Sequence, residues 1–223
     1  MERALDARRL ANEIAARLAD LPSRTTPIVR SVRREYSRLL AKAPPDLVIR
    51  TALDLANRSD LTCRWFAYEI VDQHKAAFAS LTTGQLLKLG KGIDSWAAVD
   101  TFACYLSGPS WRDGRLSSAV IHGWAGNADH WWRRAALVST VALSRRGETQ
   151  DIREAIKICT LAVSDRHDMV VKALSWALRE VAKKHPDEAR RFLARHREGL
   201  APRAIREVQN KLATGLKNPR RAS

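Results

Sequence analysis

Trp96 and Asp100 stand four residues apart in the run Ser95-Trp96-Ala97-Ala98-Val99-Asp100. On an α-helix that spacing leaves about 40° between the two side chains, so an indole and a carboxylate share one face. The bulky Val99, Phe102 and Leu106 fall a third of a turn or more away and make the core stripe. Ala97, Ala103 and Cys104 would keep the Trp/Asp face low and let something large approach the backbone. Such a face suits a cation, because the carboxylate supplies negative charge and the indole ring attracts positive charge.

A second candidate face lies on the helix predicted from Met169 to Lys184. Val170, Val171, Leu174, Leu178 and Val181 make its apolar stripe, and Trp176 falls roughly opposite, flanked at helical spacing by Lys172, Arg179 and Lys183. A run of cations is usually a solvated face, but such faces seldom carry a Trp in the middle. The pattern points to nucleic acid, with bases or sugars on the indole and phosphates on the cations. A third stretch, Asp129-His130-Trp131-Trp132-Arg133-Arg134, opens a helix apolar on most sides. An arginine there either meets a ligand or pairs with a carboxylate, for which Asp100 is the candidate. Such a pair would keep Asp100 ionised well into the acid range.

Six histidines show no metal-ligand spacing, and His74, His122, His130, His167, His185 and His196 are expected at the surface or at helix caps. Phosphate-loop, dinucleotide and serine-hydrolase motifs are absent, so neither a metal nor a cofactor is expected. Cys63, Cys104 and Cys159 form no CxxC pair and suggest a reducing compartment.

The elements that must carry these faces are helices throughout. Nearly every segment repeats with the 3.6-residue period and none alternates with period two. The expected helices cover 2–20, a stretch opening at Thr26-Pro27, one set off by Pro44 and Pro45 and running to about Arg58, 61–75 behind Asp60, 83–90, 95–106 and 115–125. Then come His130 to Arg145 capped by Asp129, 150–164, 169–184 capped by Asp168, a helix opened by Pro186, and a last one from Pro202 to Gly215. Gly90, Gly92, Gly108 and Gly126 read as breaks. Trp65, Trp96, Trp132 and Trp176 recur at separations of 31, 36 and 44 residues, close to a two-helix HEAT-type repeat. The same recurrence also fits tryptophans that only pack.

Thirty-nine Lys and Arg against 24 Asp and Glu give a formal charge of +15, which points to a polyanion or to a solubilising basic surface. The 45% hydrophobic content suffices for a sizeable core. No membrane span or targeting segment is expected. One domain is predicted over 1–216, with a frayed tail at 217–223.

In the stretches around Ser95–Asp100, Trp131-Trp132-Arg133-Arg134-Ala135 and Ser175-Trp176-Ala177-Leu178-Arg179-Glu180, followed by His185-Pro186-Asp187, the sequence resembles the AlkD-like DNA alkylation repair glycosylases. The similarity runs over about residues 27 to 212. It implies an all-α, right-handed solenoid of antiparallel helix pairs with a concave basic face. The family's Trp and Asp four apart, its later Arg and its second Trp fall on Trp96, Asp100, Arg134 and Trp176. This chain departs from the family in having no aromatic residue before Tyr36, and in Ser95 where a second Trp can stand.

The resemblance implies a monomeric base-excision enzyme of the cytoplasm, associated with the nucleoid through its DNA. It would hydrolyse the N-glycosidic bond of N3-alkyladenine and N7-alkylguanine in duplex DNA. Asp100, Trp96 and Trp176 would act at the deoxyribose, while Arg133, Arg134, Lys172, Arg179 and Lys183 would meet phosphates. A non-catalytic HEAT-repeat scaffold for nucleic acid or protein is the alternative.

Overall fold

The computed structural model describes residues 6–219, and helix is the only regular structure among them. The chain forms two compact units, Met1–Leu106 and Ser107–Ser223.

In the first unit, α1 (Ala7–Ala19), α2 (Thr26–Leu39), α3 (Pro45–Ala56) and α4 (Leu61–Gln73) are the long helices. The residues 2–5 predicted as the start of α1 lie outside the described ones. Helix α3 packs on α1 and α4, and α4 packs in turn on α2 and α7 (Trp96–Phe102). Asp60 caps α4 as expected, accepting from the Thr62 and Cys63 amides at 2.6 and 3.3 Å. The sequence carries α4 on to residue 75, but it stops at Gln73 because the backbone of His74 is extended (φ −100°, ψ 91°) and starts a separate helix, α5 (Lys75–Ser80). The imidazole Nδ1 of His74 accepts from the Ala77 amide at 3.0 Å, which makes it a cap of the kind foreseen for the histidines. Helix α6 (Thr83–Gly90) opens with a reciprocal Thr82/Gln85 capping box.

Helix α7 is fixed by its buried side. Phe102 is fully buried against Tyr68 at 5.5 Å between ring centroids, and the Tyr68 hydroxyl donates to the Leu89 carbonyl at 3.0 Å. Burial pushes the Tyr68 phenol up to about 12, so it stays a neutral donor. Val99 and Leu106 are buried with Phe102, as the apolar stripe required.

The expected helix 95–106 does not run through as α. After Phe102 the backbone opens into a π segment, Ala103–Ser107, followed by α8 (Gly108–Arg112), which sequence reasoning missed. Pro109 gives the physical reason: it has no N–H to donate to the Tyr105 carbonyl four residues back, and its ring crowds that carbonyl. Gly108, read as a break, opens α8 instead. One residue in excess of the α pattern turns every later side chain by roughly 100° about the axis.

In the second unit, α10 (His130–Arg146) is central and is packed by α8, α9 (Ser118–Ala125), α11 (Thr149–Leu161) and α12 (Asp168–Lys184). Its residues from Arg134 to Ser144 are buried without interruption, as expected of a helix apolar on most sides. Asp129 caps it, accepting from the Trp131 amide at 2.8 Å, and Gly147 ends it at φ 80°. Helix α12 begins one residue earlier than predicted. His167 is the cap, accepting from the Met169 amide at 3.3 Å, and Asp168 occupies the first turn. Helices α13 (Pro186–Arg195) and α14 (Pro202–Thr214) both start on proline. Lys217, at the start of the predicted tail, has its carbonyl bonded by Asn210 Nδ2 at 3.0 Å, while residues 220–223 lie outside the described ones.

Candidate active site

Ser95 caps α7 through a 3.4 Å bond from the Ala98 amide, which makes Trp96 the first helical residue and puts Asp100 one turn on. Trp96 is 59% exposed, an unusual degree for an indole, while Asp100 is half-buried. Both line an open cleft of about 460 Å³ within the first unit. Its wall includes Ala97 and Cys104, as the small-residue reading required, but Ala103 is fully buried and belongs to the core.

The rest of the lining was not legible from the motif. Trp65 of α4 lines the cleft, and the Arg30 guanidinium of α2 stands over its ring with Cζ 5.4 Å from the centroid. Arg30 Nε and Nη2 both donate to Glu69 Oε1, at 2.9 and 2.8 Å, and Nη2 also donates to the Tyr105 hydroxyl at 3.0 Å. Glu69 is buried and is approached from its other oxygen by Arg33 at 3.4 Å. The Glu69 carboxylate holds Arg30 above its ordinary range. Burial, and then the Glu69 charge, push the Tyr105 phenol up, so that it remains protonated.

Tyr105, inside the π segment, joins this cluster through its hydroxyl. Trp65 did carry a signal: Trp65 and Glu69 repeat the four-residue spacing of Trp96 and Asp100, and so do Trp176 and Glu180.

The remaining predicted residues lie in the second unit. Arg134 is 6% exposed and donates through Nη1 to the Met169 carbonyl at 2.6 Å. Arg133 donates to Asp165 at 2.7 Å and to the Asn127 and Ala128 carbonyls, tying the turn before α10 to the turn before α12. Trp176 is half-buried, and its Nε1 donates to Glu180 Oε1 at 3.3 Å. Lys172 pairs with Asp168 and Lys183 with Glu180, both at 2.6 Å. Arg179 pairs with the buried Glu207 of α14 at 2.7 Å and also donates to Ser175, which itself donates to Glu207. The Trp-bearing face of α12 is therefore studded with carboxylate partners. Counting cations along one helix left out Asp168 and Glu180, and could not reach Glu207.

Among the described residues the protein is an all-helical one that presents Trp96 and Asp100 in a cleft also lined by Trp65 and Tyr105. Residues 24–212 match the family described as DNA alkylation repair enzyme, and the chain belongs to that family. Among solved structures it is similar to AlkD2 from Streptococcus mutans, with a TM-score of 0.67 at 17% identity over 93% of this chain and 100% of that one. That likeness establishes the fold. No curated protein matches the sequence. Within the described residues no helix is long and apolar enough to cross a membrane.

Proposed function

We propose that this member of the alkylation repair family is a DNA glycosylase that releases cationic N3-alkyladenine and N7-alkylguanine from duplex DNA. The observation that carries the proposal is Asp100 on the wall of a cleft that two tryptophans, Trp65 and Trp96, also line. An alkylated purine is already cationic, so its glycosidic bond breaks without protonation of the leaving base. One carboxylate then suffices. Asp100 stabilises the oxocarbenium-like sugar as positive charge moves onto it, and it orients the attacking water. Each indole face adds about 0.5–2 kcal/mol of attraction for that charge.

In the second unit, the resemblance assigns Trp176 to the deoxyribose and Arg134 to a phosphate. Lys172 and Lys183, each about half-exposed at the end of a flexible stem, exchange Asp168 and Glu180 for phosphates. Arg133 and Arg179, held by Asp165 and Glu207, contribute field and position more than new contacts.

The test is incubation of N7-methylguanine and N3-methyladenine duplexes with the pure protein, scoring free base. Release of either base over a protein-free control is the expected result. Tight duplex binding with no release would make the protein a helical scaffold. The phosphate contacts are checked by salt titration on undamaged duplex. Lys172→Ala and Lys183→Ala are each expected to flatten the log–log slope by about 0.9, one phosphate apiece. Slopes equal to the parent's would remove α12 from the DNA interface.

A further inference from the structure

The first unit carries a cation that neither the sequence pattern nor the family match assigns to DNA. Arg30 lines the same cleft as Trp96 and Asp100. Its Nε and Nη2 are held from behind by Glu69 and Tyr105, and its flat face is covered by Trp65. Nη1 has no hydrogen-bond acceptor among the described residues, so its two N–H groups are left for a ligand. A guanidinium fixed on one edge and along its face, with the other edge open, is preorganised for a tetrahedral anion. The entropy of ordering its long stem has already been lost in folding.

We propose that Arg30 binds a backbone phosphate of the DNA at the mouth of the first-unit cleft. The inference rests on the DNA-binding reading above and adds a phosphate contact beside the proposed catalytic carboxylate. It also answers an electrostatic difficulty. Asp100 repels the phosphates that flank any nucleotide it acts on, and a fixed guanidinium in the same cleft offsets that repulsion. Arg33 differs from Arg30 because it is nearly buried and faces Glu69 and Ser37. Its place is structural, and it keeps Glu69 paired when Arg30 is changed.

The experiment uses short duplexes with one tetrahydrofuran abasic-site analogue at a fixed position to set the register, each carrying one neutral methylphosphonate linkage at a different position. For the parent, neutralising the linkage that Arg30 contacts is expected to cost about tenfold in affinity, the scale of a charged hydrogen bond. Arg30→Gln is expected to lose sensitivity at that one linkage and keep it at every other. Arg30→Lys preserves the charge toward Glu69 but has no second edge, so it should lose the same sensitivity while melting with the parent. The proposal is overturned if both variants show the parental linkage profile. A parent that binds no duplex, alkylated or plain, would overturn the DNA reading itself, whereas parental binding with an Arg30-independent profile removes this contact alone.

Discussion

Asp100→Asn is expected to release alkylated bases at least ~10²-fold more slowly than the parent in single turnover, the usual cost of removing one preorganised electrostatic group. It should bind duplex DNA as well as the parent or better. The two effects run in opposite directions because the carboxylate attracts the developing sugar cation and repels phosphate. Asparagine has nearly the same shape at this half-buried position of α7, and Val99 and Phe102 bury the helix's other side. Melting temperature is therefore the necessary companion measurement. A variant that melts early would show that Asp100 serves the fold, since breaking a buried pair costs ~3–5 kcal/mol. One that excises at the parental rate would take Asp100 out of the chemistry altogether.

Glu207→Ala is expected to be the most destabilising single change in the second unit. Glu207 is 4% exposed and has Arg179 at 2.7 Å, Lys217 at 3.5 Å and Arg203 at 3.8 Å. Arg179 is itself largely buried, and burial pulls its guanidinium below the ordinary range while Glu207 pulls the other way. Removing the carboxylate leaves that charge uncompensated, at a cost of ~3–5 kcal/mol. For a chain of this size that corresponds to a fall in melting temperature on the order of 10 °C. Replacing both partners together, Arg179→Met with Glu207→Leu, should recover much of the loss, because a well-packed apolar pair replaces a desolvated ionic one. A double variant as unstable as Glu207→Ala would show that packing or Ser175, and not the unpaired charge, sets the cost.

Much of this architecture was legible in the sequence because helices announce themselves locally. Asp60, Asp129, Pro45, Pro186, Pro202 and Gly147 mark ends where the sequence puts them. The Trp96/Asp100 face was legible for the same reason, since a four-residue spacing is a local property. What stayed hidden depended on partners far along the chain. Arg30 meets Glu69 39 residues away and Tyr105 75 residues away, and no periodicity within one helix reports either contact. Tyr105 also lies in the π segment ahead of Pro109, where 100° per residue no longer holds. The cationic stripe of α12 read as bare because two partners, Asp168 and Glu180, lie within the helix itself and the third, Glu207, lies on α14.

The Arg179–Glu207 pair also bears on the order in which the protein is made. The carboxylate leaves the ribosome 28 residues after the guanidinium it must neutralise, an interval on the order of seconds at ordinary rates of synthesis. Until α14 follows, the side of α12 that carries Ser175 and Arg179 has no carboxylate to meet, so the guanidinium stays in water and is desolvated only together with Glu207. Truncation before residue 207 would leave that side of α12 uncovered, and quality control would meet a second unit missing one wall of its core.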